Sequence, residues 1–275
     1  MGPLRFKQVD VFTSRPFFGN PVAVVIGAEG LDTEAMQRIA CWTNLSETTF
    51  LLKSEVADYR LRIFTPAQEL PFAGHPTVGS AHAAIEQGFV QRKPTLRQEC
   101  GAGVLDLALD ADGRIFVKGP PARIARAPEI PGIPALGERL RIDVGPVWIV
   151  GEVSDARTLA DLVPDMAALA RYSLKEEVSG VTLFAKSDDC VSAIHVRSFA
   201  PAHGIPEDPV CGSGNLSVAA FLKETNALER YGRRYIARQG AALGRDGRVH
   251  VTVDEDGIRI GGHAVTCVDG TLKVD

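Results

Sequence analysis

The chain lacks the features that mark several large classes of protein. None of its apolar runs approaches the roughly 20 residues that a membrane-spanning helix requires. Its 30 Lys and Arg residues are outnumbered by 34 Asp and Glu residues, which gives a formal net charge of −4, and no basic cluster stands out. Proteins that bind nucleic acid or anionic membranes usually present a positive face. We therefore expect neither a nucleic-acid partner nor a membrane partner.

Cysteine is scarce, and its placement does not suit a disulfide framework. The cysteines are odd in number, are widely scattered and include no C-x-x-C pair: Cys41, Cys100, Cys190, Cys211 and Cys267. That pattern is typical of a reduced, intracellular protein. The first residues, "MGPLRFKQVDVF", pass directly into a strand-like alternation, so we expect no signal peptide. The prediction is a cytoplasmic protein.

Motifs for nucleotides and metals are also missing. Gly212-Ser213-Gly214 lacks the third glycine of G-x-G-x-x-G, and the sequence contains no G-K-[ST]. The histidines show no spacing typical of metal ligands. The sequence therefore indicates neither a nucleotide nor a metal site.

What is present is a succession of short strand-like segments with few helices. Runs such as "PVAVVIG", "YRLRIFT" and "RVHVTVD" have the length and alternation of strands. Amphipathic patterns predict helices in "DTEAMQRIACWTN" and in "DARTLADLVPDMAALARY", the second interrupted at Pro164. Residues 119–134 are rich in proline, which disfavours both a helix and a central strand of a sheet. We predict a boundary there, between one half at 1–120, joined by a C-terminal strand at 266–275, and a second half at 121–265.

An internal repeat relates the two halves. "RIFTPAQELPFAGHPTVGSAHAA" is similar to "RSFAPAHGIPEDPVCGSGNLSVAAF", with Arg62 matching Arg197 and Gly74 matching Gly212. Each copy ends in a segment that is small and apolar on nearly every side, which is typical of a helix buried all round. The repeat predicts a duplicated module with two similar halves, each with a helix running through a curled sheet.

Both repeated helices begin at glycine-rich turns, "AGHPT" and "CGSGN". The first N–H groups of a helix lack intrahelical partners, and the helix dipole favours an anion there. Two such turns would suit a small carboxylate. The alternative is that the glycines serve only to make tight turns.

Four side chains are candidates for acid–base chemistry. Glu47 precedes a strand in "NLSETTFLL", and His75 lies at the first helix start. Asp208 and Cys211 precede the second helix, where a thiol is pushed toward thiolate. Three of them have a structural alternative: an edge charge for Glu47, an Asx turn for Asp208 and a small buried residue for Cys211.

Four segments resemble, in order, signature segments of the PhzF-like proteins of phenazine biosynthesis: "DVFTSRPFFGNPVAVV", "LSETTFLL", "RIFTPAQELPFAGHPTVGSAHA" and "IPEDPVCGSGNLSVAAFL". The resemblance implies the diaminopimelate-epimerase-like fold. That is an α+β fold of two pseudo-symmetric halves, each a curled, mostly antiparallel sheet around a central buried helix, with the active site between them. It also implies a homodimer and an isomerase without metal or organic cofactor, whose substrate is a small, cyclic amino or hydroxy carboxylic acid.

The same resemblance implies roles for individual residues. Glu47 would be the general acid and base of a proton transfer, with His75 and Asp208 orienting the substrate. The implied substrate-binding residues are Ser46, Gly74, Gly212 and Ser213.

One departure leaves alternatives open. The PhzF isomerase pattern reads "DPATGSA", whereas this chain reads "DPVCGSGN", so Cys211 replaces a threonine. Epimerases and racemases of this fold use two cysteines, and the second would fall at Ala73, so a two-thiol mechanism is excluded. An epimerase using Glu47 and Cys211 stays open, as does a binding protein without catalysis.

Overall fold

The computed structural model describes residues 2–274, which form two sets of strands and a few helices. The strands are β1 (Leu4–Val11), β2 (Asn20–Ile26), β3 (Thr48–Leu52), β4 (Tyr59–Phe64), β5 (Glu69–Leu70), β6 (Thr95–Cys100), β7 (Gly103–Leu109), β8 (Ile115–Lys118), β9 (Arg123–Arg126), β10 (Leu136–Asp143), β11 (Val147–Glu152), β12 (Gly180–Lys186), β13 (Ile194–Ala200), β14 (Ile205–Asp208), β15 (Arg234–Gln239), β16 (Gly247–Asp254), β17 (Gly257–Gly262) and β18 (Ala264–Leu272). The helices are α1 (Thr33–Thr43), α2 (Gly74–Glu86), α3 (Ala156–Asp161), α4 (Met166–Lys175), α5 (Gly212–Glu224) and α6 (Leu228–Tyr231).

These elements group into two compact units. The first unit contains the chain up to Lys118 and from Gly261 onward, and the second is the continuous stretch Gly119–Ile260. Strand β18 thus belongs to the first unit although it comes last in the sequence.

The first unit is a curled sheet around helix α2. Strand β1 pairs antiparallel with both β18 and β2, and β2 pairs parallel with β3. Strands β3 and β4 are antiparallel, β4 and β6 are parallel, and β6, β7 and β8 continue antiparallel. Helix α2 contacts β1, β2, β3, β4, β8 and β18, so the sheet wraps around it.

Small residues let α2 lie inside this sheet. The helix is buried almost continuously from His75 to Ala84. At Gly79 an added Cβ would lie 2.5 Å from Cγ1 of Val22, so this position has room only for glycine. The apolar, all-round burial predicted for this segment is therefore present.

The second unit repeats the same pairing scheme. Strand β10 pairs antiparallel with β9 and β11, β11 pairs parallel with β12, and β12 is antiparallel to β13. Strand β13 then pairs parallel with β15, which is antiparallel to β16. Helix α5 contacts β10, β11, β12 and β16 and is buried over most of its length. Each unit is thus a mostly antiparallel sheet around a buried helix.

The repeat also preserves an arginine–glutamate pair. Arg62 on β4 donates through Nε and Nη2 to Glu69 on β5, over 2.7 and 2.6 Å. Arg197 on β13 donates in the same way to Glu207 on β14, over 2.9 and 2.8 Å. The second pair is more buried, with side chains 11% and 6% exposed against 19% and 40% in the first. The repeated sequence therefore encodes the same strand pair twice.

The two amphipathic segments form helices as predicted, and the proline-rich stretch contains a strand that was not predicted. Helix α1 begins at a cap in which Asp32 Oδ1 accepts from the N–H of Ala35 at 2.8 Å. The second amphipathic pattern forms two helices, α3 and α4, on either side of Pro164. The proline-rich stretch does contain a strand, β9, which occupies the proline-free residues 123–126 and pairs with β10. No helix within residues 2–274 is long and apolar enough to cross a membrane.

Candidate active site

In the first unit, Glu47 is held at the entrance of a strand that has neighbours on both sides. Helix α1 ends at Thr43 and is followed by Asn44, which adopts a left-handed conformation and donates its N–H to the carbonyl of Ala40. The chain then enters β3, which pairs with β2 and β4. The carbonyl of Glu47 accepts from the N–H of Ala23 at 3.3 Å, so its backbone is already fixed to the sheet.

The Glu47 carboxyl faces an imidazole at the start of α2. Its Oε2 atom lies 3.3 Å from Nε2 of His75, the second residue of the helix. The two side chains are 15% and 7% exposed. Neither Glu47 Oε2 nor His75 Nε2 is reached by solvent. The sequence positions 47 and 75 are thus brought together as a carboxyl–imidazole pair within one unit.

Burial changes the protonation of this carboxyl. Burial raises the pKa of Glu47 to about 7, against a hydrogen bond with Ser46 that lowers it. A carboxyl of that pKa is present in both its acid and its base form near neutral pH. That is the property required of a group that takes a proton in one step and returns it in the next.

Buried polar contacts fix the start of α2 to the surrounding strands. Gln98 Nε2 donates to Thr77 Oγ1 at 3.3 Å, and its Oε1 accepts from the Tyr59 hydroxyl at 3.0 Å. Farther along the helix, the hydroxyls of Ser80 and Thr49 are 2.8 Å apart. These contacts join α2 to β3 and β6, and through Gln98 to β4, so they fix the helix within the sheet. The position of His75 follows from that of its helix.

In the second unit, Cys211 directly precedes α5 and is its N-cap residue. Its Sγ accepts from the N–H of Gly214 at 3.2 Å and so caps the helix. An added Cβ at Gly214 would lie 2.6 Å from Oγ of Ser198 and 3.0 Å from Oγ1 of Thr182. The second turn therefore needs its glycine for close packing against β12 and β13.

A glutamine that the sequence reading missed holds this turn together. Gln239 Oε1 accepts from the Cys211 N–H at 3.1 Å and from Asn215 Nδ2 at 2.8 Å. Its Nε2 donates to the carbonyl of Asp208 at 3.1 Å. Asn215 occupies the same place in α5 as Thr77 in α2, so each buried helix is tied at its fourth residue to a strand glutamine. The internal repeat does not show this, because the two glutamines are not at matching positions.

The Cys211 thiol is buried, and its surroundings change its protonation. Burial, the largest effect, and the charge of Asp208 raise its pKa well above the usual value, although hydrogen bonds from Ser213 and Gly214 oppose the shift. The side chain is 3% exposed. A helix start alone favours the thiolate, but here burial outweighs it, so the group is a neutral thiol near pH 7.

The site residues named from the sequence fall into two sets, one in each unit. The first unit holds Ser46, Glu47, Gly74 and His75, and the second holds Asp208, Cys211, Gly212 and Ser213. Among the residues that the structure describes, no group of three or more His, Cys, Asp and Glu is placed to hold a metal ion.

The architecture places the protein in a known fold class. It superposes on the Bacillus anthracis phenazine biosynthesis protein of the PhzF family with a TM-score of 0.84 and 27% identity, covering 100% of both chains. A hydroxyproline epimerase from Agrobacterium vitis shares the fold, with a TM-score of 0.64, 17% identity and coverage of 98% of this chain and 92% of that one. The epimerase-like α+β fold predicted from the sequence is confirmed.

Within that fold class, the chain belongs to the phenazine biosynthesis-like protein family. The family model matches residues 9–118 and 139–270. The chain is 34% identical to the trans-2,3-dihydro-3-hydroxyanthranilate isomerase of Pseudomonas aeruginosa, over 93% of this chain and 92% of that protein. It is 38% identical to "Antisense-enhancing sequence 1" of Schizosaccharomyces pombe, over 96% of this chain and 97% of that protein. The predicted family is therefore confirmed.

Proposed function

We propose that the protein is an isomerase that moves a proton, and with it a double bond, within a small amino or hydroxy carboxylic acid. Glu47 carries the proton, and the reaction needs no cofactor. The observation that supports this is the buried Glu47 carboxyl, whose pKa is raised to about 7 and whose Oε2 lies 3.3 Å from Nε2 of His75.

The proposed steps are balanced within one substrate molecule. The Glu47 carboxylate removes a proton from a carbon atom, and the electron pair of that C–H bond moves into the neighbouring unsaturated system. The Glu47 carboxylic acid then returns the proton to a second carbon, which restores the carboxylate. Nothing is oxidised or reduced, and the same residue acts as base and then as acid.

The neighbours of Glu47 support both half-steps. His75 lies beside the carboxyl, and in this proposal it keeps its predicted role of orienting the substrate and tuning the proton transfer. Helix α2 starts at Gly74, next to His75, and the N-terminal end of a helix favours negative charge nearby. Such an end would stabilise the charge that develops as the proton leaves carbon. The predicted substrate-holding roles of Asp208, Gly212 and Ser213 belong to the same proposal.

The first compound to test comes from the named relative. Trans-2,3-dihydro-3-hydroxyanthranilate carries a carboxylate, an amino group and a hydroxyl on a partly unsaturated ring. It fits the class of acid that the sequence indicates. Simpler cyclic amino and hydroxy acids complete the panel.

The experiment follows proton exchange in D2O by NMR. The wild type is expected to convert the substrate and to incorporate deuterium, while Glu47→Gln loses both because an amide cannot carry the proton. Glu55→Gln makes the same chemical change at an exposed residue and serves as the control. Exchange by Glu47→Gln at the rate of the wild type would show that another group carries the proton.

An epimerase that uses Cys211 as a second base is the less favoured alternative. A thiol whose pKa is raised by burial stays protonated near neutral pH, so little thiolate is available to act as a base. The two reactions give different products, because epimerisation inverts one carbon and leaves the double bonds in place. Chiral chromatography of the same incubations separates them.

A further inference from the structure

A buried pair of hydroxyls joins α2 to β3 close to Glu47. Thr49 Oγ1 and Ser80 Oγ are 2.8 Å apart, and both residues are fully buried. Glu47 contacts His75 and Thr49 contacts Ser80, so both side chains face α2, as expected for residues two apart along a strand. The hydroxyl pair of Thr49 and Ser80 is therefore a second contact between the two segments that carry Glu47 and His75.

The hydroxyl of Thr49 also reaches the strand that fixes the backbone of Glu47. Thr49 Oγ1 lies 3.1 Å from the carbonyl oxygen of Ala23 on β2. A carbonyl only accepts, so Thr49 donates its one proton here, and Ser80 must be the donor within the hydroxyl pair. The N–H of Ala23 in turn donates to the carbonyl of Glu47 at 3.3 Å. One directed set of hydrogen bonds thus joins α2, β3 and β2 next to Glu47.

The second unit has a threonine at the equivalent place. Thr49 pairs with the residue that follows Arg62 on β4, and Thr182 pairs with the residue that follows Arg197 on β13. Since the two arginines match in the internal repeat, the two threonines match as well. Thr182 is also fully buried, but its hydroxyl donates to Ser198 Oγ on the neighbouring strand at 3.0 Å.

The partners of this threonine differ between the units in the same way as the site does. The residue of α5 that matches Ser80 is Val218, whose side chain has no hydrogen-bonding group. The residue that matches Glu47 is Gly180, two before Thr182, so the second unit has no carboxyl at this place. Helix α5 is buried in its sheet without a serine at this position. Packing of a helix inside the sheet therefore does not by itself require the hydroxyl pair.

We propose that Thr49 and Ser80 are positioning residues for Glu47. Their hydrogen bond holds α2 against β3, so that His75 stays beside the Glu47 carboxyl and water stays out of the space between helix and strand. That this carboxyl carries a substrate proton rests on the proposed function, whereas the positioning of Glu47 and His75 does not.

An NMR titration tests the positioning without any substrate. The side-chain carboxyl signals of carbon-13-labelled glutamate report each pKa, and comparison with Glu47→Gln assigns the signal of Glu47, whose pKa is about 7 in the wild type. Thr49→Val keeps the shape of the side chain but removes the hydroxyl. We expect the pKa of Glu47 to fall by roughly one unit in this variant, because the carboxyl gains contact with water. An unchanged pKa would overturn the proposal.

Two variants separate positioning from a general loss of packing. Thr49→Ser supplies the hydroxyl again and should return the pKa of Glu47 toward its wild-type value, although a methyl group is missing. Thr182→Val makes the same change as Thr49→Val at the equivalent buried threonine of the second unit and should leave the pKa of Glu47 unmoved. No recovery in Thr49→Ser, or an equal shift in Thr182→Val, would contradict the proposal.

A substitution on the helix tests the same hydrogen bond from its other end. Ser80→Ala removes the donor, and it provides the measurement if Thr49→Val does not fold. Because both substitutions break one bond, the double variant should shift the pKa of Glu47 by no more than the larger single shift. Shifts that add would mean that the two hydroxyls act separately, which would refute the role of the pair.

A kinetic comparison tests the consequence for the reaction. For an acid that the wild type converts, Thr49→Val should lower kcat roughly tenfold at about pH 8 and change KM by less than about twofold, since a displaced base affects proton transfer more than binding. An unchanged kcat, or a KM that changes as much as kcat, would contradict this. If the wild type converts none of the acids, the proposed function fails, and the titration still decides whether Thr49 and Ser80 position Glu47.

Discussion

Replacing Glu47 by glutamine should make the protein more stable at alkaline pH while removing its proposed activity. The pKa of Glu47 is raised from 4.5 to about 7 by burial, so the folded protein holds this proton more tightly than the unfolded chain. Stability must then fall as the pH rises from about 4.5 to about 7, and stay reduced above that. Since one pKa unit corresponds to about 1.4 kcal/mol, the loss amounts to about 3 kcal/mol. Glutamine keeps the shape of the side chain without the charge.

The assay is urea unfolding of both proteins at several pH values. At about pH 8 we expect Glu47→Gln to exceed the wild type in free energy of unfolding by up to about 3 kcal/mol, and at about pH 4 the two should coincide. Glu86→Gln is a control of opposite sign. Burial raises the pKa of Glu86, but hydrogen bonds from Thr266 and Lys7 lower it by more, so the net shift is downward. Replacing the Glu86 carboxylate by an amide should therefore destabilise the protein at alkaline pH.

Equal stability of wild type and Glu47→Gln at alkaline pH would refute the reasoning. It would mean that the carboxylate is as well solvated in the folded protein as in the unfolded chain. The role of Glu47 as a proton carrier near neutral pH would then lose its physical basis, whatever the activity of the variant.

Three further predictions concern the two units separately. The kcat/KM for proton exchange should fall below about pH 7, because the Glu47 base is then protonated; a profile flat through this range would contradict it. Gly214→Ala should lower the free energy of unfolding, measured in urea, by about 1–3 kcal/mol, because the added Cβ would lie 2.6 Å from the Ser198 hydroxyl. In the control Gly270→Ala, the added Cβ meets no atom within 4 Å, so the loss should be far smaller. Arg197→Met leaves a buried glutamate unpaired and should lower the free energy of unfolding by about 3–5 kcal/mol. Arg62→Met, at the more exposed pair, should lower it by less than about 1 kcal/mol. Similar losses in the two variants would show that burial does not distinguish the pairs.

Much of the fold could be predicted from the sequence because the repeat is a local signal. The match of Arg62 to Arg197 identifies two equivalent strands, and the small residues after Gly74 and Gly212 indicate helices buried on all sides. Both features depend on residues close together in the chain. The strand β9 within the proline-rich stretch was not predicted, because the density of prolines in the stretch as a whole argued against a strand. The gap between Pro121 and Pro128 is nevertheless long enough for the short strand Arg123–Arg126.

The site was less predictable because its contacts are long-range. Glu47 could be named from its motif, yet the 3.3 Å approach to His75 and the raised pKa depend on how α2 lies within the sheet. Gln239 carries no motif and lies far in sequence from Cys211, whose N–H it accepts. For Cys211 the sequence left two interpretations open, a thiol activated by the helix start and a small buried residue, and only the structure shows that burial has the larger effect on its pKa.

The pairing of β1 with β18 has a consequence for synthesis on the ribosome. Leu4 lies opposite Leu272, so one edge of β1 stays open until nearly the whole chain has emerged. The second unit is continuous in sequence and can fold before that happens. The half that is made first is therefore completed last, and nascent chains that stop before β18 would expose an unpaired strand edge prone to association with other chains.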